Sequence, residues 1–278
     1  MKFTKMQGCG NDYVYVNCFE EKINSPSELA VKISDRHFGI GADGLILILP
    51  PTNEDSDAFM QLYNADGSKA SMCGNGVRCV AKYVYEHGLI ANDRKDTFID
   101  TPAGTKKISL NIHDNKVINA SVDMGVATPT SEVPEKISID GKNLCFIGVN
   151  VGNPHAVYFI EDNPEIKDIC SWPDSVFAVE GVKFETHSRF PDRVNSEFIE
   201  IISRGEINMR VYERGSGETM ACGTGATASA YAGVIAGKLN REVLVHLRGG
   251  DLKIKVDDDG RCIMTGAAVE VFSGEIVL

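Results

Sequence analysis

Short runs of β-branched and aromatic residues recur along the chain at 13–18, 45–49, 156–160, 198–202, 207–212 and 243–247. Each is of strand length and bounded by turn-forming residues, so each predicts a strand. Asp114-Asn115 and Asp259-Gly260 sit between alternating runs and predict hairpin tips. Helical periodicity stands out in two places, 77–87 and 226–238. Many strands with few helices predict an α+β architecture rather than regular βαβ winding.

The two helices open in the same way. Cys73-Gly74-Asn75-Gly76 leads into one and Cys222-Gly223-Thr224-Gly225 into the other, with a polar residue nine positions earlier in a tight-turn segment, Asn64 or Glu213. Gly10-Asn11 and Gly152-Asn153 each precede an apolar strand at a similar offset. Three matched features in the same order predict an internal duplication. The expected fold is two pseudo-symmetric domains, each a mostly antiparallel sheet wrapped around a central helix, with the active site in the cleft between them. The N-terminal repeat is placed at 1–117, completed by a C-terminal strand at about 268–278, and the C-terminal repeat at 118–267, with the break near 116–121.

A cysteine at a helix start meets unpaired N–H groups and the positive end of the helix dipole, which can pull its thiol below the usual value of about 8.5. The glycines that follow let a carboxylate approach the backbone N–H groups. Inverting a carbon centre by proton transfer needs a base on one face and an acid on the other, and Cys73 with Cys222 supplies such a pair. Backbone donors at both helix starts would stabilise the carbanion, so pyridoxal phosphate is not required and no cofactor is expected. Asn11, Asn64, Asn153 and Asn195 are candidate substrate ligands, although each alone could cap a turn. Glu213 and Arg214 either form a surface ion pair or face the cleft, and the repeat favours the cleft. His155, after Asn153-Pro154, is a supporting candidate near the thiols. The other six cysteines read as small core residues.

Composition narrows the partner. The 278 residues are 43% hydrophobic and carry a formal net charge of −11, which disfavours nucleic acid and fits a small-molecule amino-acid substrate. No secretory signal or bilayer-length apolar run is present, so a cytoplasmic protein with free thiols and no membrane partner is expected. Scattered histidines and the absence of a Cys-x-x-Cys pair give no support for a metal site. The expected assembly is a homodimer.

Nearly the whole chain resembles the diaminopimelate epimerase family. The resemblance runs from Met6-Gln7-Gly8-Cys9-Gly10-Asn11-Asp12 through Asn64-Ala65-Asp66-Gly67-Ser68, the first cysteine motif with Val77-Arg78-Cys79, Gly152-Asn153-Pro154-His155, and the segment from Glu213-Arg214-Gly215-Ser216-Gly217-Glu218 to Gly225-Ala226. It implies interconversion of LL- and meso-diaminopimelate, on the route to lysine and peptidoglycan, by two cysteines in a closing two-domain fold. It further implies that Cys73 and Cys222 are the acid–base pair and that Gly74, Asn75, Gly223 and Thr224 hold the reacting carboxylate. Asn64, Asn153, Asn195 and Arg214 would recognise the distal end, where an Arg offers bidentate geometry to a second carboxylate. Two positions depart from the family pattern: Gly44, where many members carry glutamine, and Ala267, where proline is expected. These leave open a related racemase of another amino acid such as histidine.

Other classes fare worse. Gly39-Ile40-Gly41-Ala42-Asp43-Gly44 matches a dinucleotide fingerprint in letters but leads into an apolar strand-like run instead of a helix. A non-catalytic amino-acid-binding protein could use the same helix starts, but it has no need for two thiols.

Overall fold

The computed structural model describes every residue except Asn92 and Leu278, the latter being the last residue of the expected C-terminal strand. It forms two compact units, Met1–Asp123 with Thr265–Leu278, and Met124–Met264. The first unit contains β1 (Lys2–Gly8), β2 (Asn11–Asn17), α1 (Pro26–Ser34), β3 (Gly44–Leu49), β4 (Ala58–Asn64), β5 (Lys69–Ala70), α2 (Gly74–Glu86), β6 (Asp96–Asp100) and β7 (Lys106–His113). The chain leaves it within β8 (Lys116–Val126), so the division falls inside a strand, slightly later than the sequence suggests. The second unit contains β9 (Thr128–Pro129), β10 (Glu135–Ile139), β11 (Lys142–Asn150), β12 (Pro154–Phe159), α3 (Asp174–Glu185), β13 (Asn195–Ser203), β14 (Glu206–Glu213), β15 (Gly217–Glu218), α4 (Gly223–Ile235), β16 (Glu242–Leu247) and β17 (Gly250–Val256). The return passes through β18 (Arg261–Gly266), and β19 (Val269–Glu275) pairs antiparallel with β1.

The pairing pattern repeats. In the first unit β2 pairs antiparallel with β1 and parallel with β3, while β4 pairs antiparallel with β3 and β5 and parallel with β6, which pairs antiparallel with β7. Writing β11 to β17 in place of β1 to β7 gives the second unit's pairings in the same senses. Parallel neighbours require crossovers, and helices supply them at matching places, α1 and α3 first, then α2 and α4. Register makes the positions correspond: Tyr13 lies opposite Gly44, and His155 opposite Asn195. Two residues further along the same strands, Ile46 corresponds to Glu197.

Each second helix is the buried centre of its unit. In α2 every residue from Asn75 to Tyr85 is buried, and in α4 every residue from Gly225 to Gly233. The two cores are built differently: aliphatic residues of β2 and β3 pack under α1 in the first, whereas the second stacks Phe146, Tyr158, Phe177, Phe184, Phe198 and Tyr212. Asp114 and Asn115 both take positive φ, 49° and 59°, as a two-residue hairpin requires. Asn64 and Glu213 end β4 and β14, and the carbonyl of each accepts the N–H three residues on, so each opens the expected tight turn into a two-residue strand.

Candidate active site

Cys73 is the N-cap of α2, in extended conformation, and its Sγ accepts the Gly76 N–H at 3.3 Å. That thiol donates to Asn11 Oδ1 at 3.2 Å, and the Asn11 amide NH2 donates to Asp43 at 2.8 Å. Asn75 is held by the fully buried Arg78, whose Nη2 donates to Asn75 Oδ1 at 2.9 Å while its Nε reaches the Ala267 carbonyl at 3.3 Å. The Ala267 departure is therefore harmless on this count, because a backbone carbonyl is what Arg78 uses. Gly44 has a local cause as well. A Cβ there would lie 2.1 Å from the Tyr63 carbonyl and 3.0 Å from the Tyr13 ring, so this backbone admits no side chain. Asn64, opposite Gly44, donates to Ser68 Oγ at 3.0 Å and has no bond to the thiol.

Cys222 caps α4 in the same manner, accepting the Gly225 N–H at 3.3 Å, with Thr224 Oγ1 3.4 Å from its sulfur. Asn153 Nδ2 donates to Thr224 Oγ1 at 3.4 Å, and His155 joins Asn153 at 2.9 Å. The second unit thus gathers Cys222, Gly223, Thr224, Asn153 and His155. Glu213 approaches the same thiol and accepts a short hydrogen bond from Thr219. Asn195 is buried and accepts the Arg214 N–H at 2.7 Å, whereas the Arg214 guanidinium is exposed and donates to the Asp192 carbonyl at 3.3 Å. Arg214 therefore pairs with neither Glu213 nor any other carboxylate among the described residues.

The last residue of each Cys-Gly-Xaa-Gly start, Gly76 or Gly225, must be small. A Cβ on Gly76 would come within 2.7 Å of Ile46 Cδ1, and one on Gly225 within 2.7 Å of Glu197 Oε1 and 3.2 Å of Cys222 Sγ. The expected lowering of the thiols is not what this environment produces. Burial raises Cys73 above its ordinary value, and the Gly76 N–H and Arg78 offset only part of that. Burial pushes Cys222 well above the ordinary range, and the carboxylates of Glu213 and Glu197 add to it against Thr224 and the Gly225 N–H. Burial likewise raises Glu213.

Sequence reasoning overlooked three residues. Arg78 sits in a helix read only for its apolar stripe. Tyr13 hydrogen-bonds Cys73 and its phenol is itself raised by burial. Glu197 is fully buried beside His155, one residue before the apolar run at 198–202 that marks its strand. None of the eight cysteines forms a disulfide, and no three His, Cys, Asp or Glu residues are grouped to hold a metal among the described residues. No described helix is long and apolar enough to cross a membrane.

Solved structures with this fold define a class. The chain resembles a hydroxyproline epimerase from Agrobacterium vitis with a TM-score of 0.72 at 15% identity, over 99% of this chain and 91% of that one. It also resembles a probable proline racemase from Agrobacterium radiobacter K84, with a TM-score of 0.70 at 15% identity, over 100% and 93%. At such identity the fold alone is shared: a duplicated α+β architecture found in epimerases and racemases. Sequence goes further. The family model for diaminopimelate epimerase matches residues 3–129 and 147–271. Proteins named diaminopimelate epimerase from Agathobacter rectalis and Methanococcus maripaludis strain C6 are 48% and 44% identical, each over 99% of both chains. The chain belongs to the diaminopimelate epimerase family.

Proposed function

We propose that the chain interconverts LL- and meso-2,6-diaminopimelate without a cofactor, Cys73 and Cys222 exchanging protons with opposite faces of one α-carbon. The observation that carries this reading is a thiol capping the central helix of each unit, with its sulfur on the N–H three residues later in both cases. Each helix start offers a seat for the reacting carboxylate, at Gly74 and Asn75 and at Gly223 and Thr224, where charge develops as the α-proton leaves. Cys73, beside Arg78, is the thiol that more readily becomes the base, and Cys222, facing two carboxylates, the one that stays protonated as the acid. The reverse direction exchanges the roles. Asn64, Asn153, Asn195 and Arg214 are assigned to the distal amino-acid end, the exposed Arg214 guanidinium to its carboxylate, and Asn11 and Glu213 to the surroundings of the thiols.

The setting proposed is the cytoplasm, where the thiols stay reduced, in the supply of lysine and peptidoglycan precursors. A homodimer is part of the proposal, and its mass by light scattering decides that part. Turnover of diaminopimelate, histidine, lysine and proline by the purified protein without pyridoxal phosphate tests substrate and chemistry together. Diaminopimelate should be preferred strongly. Preference for histidine would reject the substrate while leaving the two thiols in place, and dependence on pyridoxal phosphate would reject the chemistry.

A further inference from the structure

Asn11 and Asn153 occupy corresponding places, yet their amides are presented in opposite senses. Asn11 gives its NH2 group to Asp43 and turns its carbonyl to the Cys73 thiol. Asn153 turns its carbonyl to His155 Nε2, at 2.9 Å, and its NH2 group to Thr224. What stands behind His155 differs from anything in the first unit: Glu197 Oε1 lies 2.6 Å from Nδ1, and both side chains have no exposed surface. The corresponding residues of the first unit are Tyr13 and Ile46, which cannot form such a pair.

Resting on the two-thiol reading above, we propose that Glu197 is a positioning residue that acts through His155 to fix the Asn153 amide, so that its NH2 group faces Thr224 at the start of α4 and the substrate bound beside it. The argument is one of proton count. A carboxylate with no exposure is costly unless it is hydrogen-bonded and compensated, and here one oxygen has only His155 while Oε2 has no hydrogen-bond partner among the described residues. The Glu197–His155 pair is least costly when it is neutral as a pair. That state places one proton between Oε1 and Nδ1 and a second on Nε2. A proton on Nε2 can only donate, so Asn153 must offer its carbonyl there and its NH2 group on the far side. With a neutral residue in place of Glu197, the ring needs one proton instead of two, and the amide loses its preferred sense.

Glu197 also lies against the start of α4, within 2.7 Å of where a Gly225 Cβ would stand, so its charge meets the positive end of the helix. The charged and titratable groups facing this cluster are Glu213 from β14, Tyr158 and His155 from β12, and the Cys222 thiol itself.

The test is nitrogen-15 NMR of the His155 ring in the full-length protein at neutral pH, with Glu197→Gln as the comparison. Wild type should show a proton on Nε2 and a second shared between Nδ1 and Glu197, and the variant a single ring proton. A bare Nε2 in wild type overturns the proposal even if the variant fails to fold. Kinetics supply a second arm: Glu197→Gln should raise KM for diaminopimelate several-fold with a smaller change in kcat, and adding it to Asn153→Ala should cost nothing more. Losses that add across the two positions would mean that Glu197 does not act through Asn153. Failure of the two-thiol reading would appear instead as activity surviving in Cys222→Ala, which leaves the ring signals untouched.

Discussion

The two helix starts have nearly the same backbone and very different charge. Around Cys73 stand an amide, a phenol and the buried Arg78; around Cys222 stand a hydroxyl, Glu213, Glu197 and a histidine. Even within the helices the change is visible, since Arg78 in α2 corresponds to Thr227 in α4 and both are fully buried. Duplication kept the geometry that caps a thiol with an N–H, while substitution made the two thiols unequal in how they hold a proton. Two-base inversion requires, in each turnover, that one group be free to take a proton while the other still has one to give, and unequal surroundings favour one such arrangement at rest.

The strongest way to break the comparison is to remove one side. Cys73→Ala and Cys222→Ala should each lower epimerisation about a thousandfold or more, since inversion needs both carriers, with far-UV circular dichroism unchanged. Near-normal turnover in either variant would end the account. Arg214→Ala comes next. Loss of the partner proposed for the distal carboxylate should reduce kcat/KM for diaminopimelate by about one to two orders of magnitude, less than for a buried pair because the guanidinium is solvent-exposed.

Titration sharpens the contrast. Both thiols are raised, Cys222 further, so alkylation by iodoacetamide, mapped by mass spectrometry, should label Cys73 first and should quicken as pH rises into the alkaline range. The sign follows from the thiolate being the reactive form: a raised value moves its appearance to higher pH. Faster labelling of Cys222 would reverse the assignment of base and acid. The smallest effect separates the two glycines. Gly76→Ala meets the movable end of Ile46, whereas Gly225→Ala meets a buried carboxylate oxygen and the Cys222 sulfur, so the second should be the more destabilising, within about 1–3 kcal/mol. Thermal unfolding midpoints in the opposite order would show that the packing beneath the helix starts is misread.

Much of this frame is legible in the sequence because repetition is a long-range signal. The matched cysteine motifs and the Gly-Asn pairs point to two units by themselves, and the strands near 13–18, 45–49 and 243–247 lie within a residue or two of β2, β3 and β16. The helix α3 is less readable. Its Phe177 and Phe184 are buried while Val176, Val179 and Val182 are exposed, so apolar residues lie on both faces and no single stripe marks it. Site residues divide in the same way. The capping cysteines announce themselves by glycine spacing, but Glu197 acts through contacts with β12 and α4, which lie far from it in sequence. The one local sign is a charge in an inward strand position, flanked by Asn195 and Ile199 on the same face.

The central claim, two opposed proton carriers of unequal standing, is tested most directly by a single turnover of LL-diaminopimelate in deuterated water without added cofactor. Meso product formed early should carry one solvent deuterium at the inverted carbon, and the LL-isomer that remains should be unlabelled, because the proton is taken by one thiol and replaced by the other. Meso product that keeps the original hydrogen would mean a single base working on both faces, and would contradict the account.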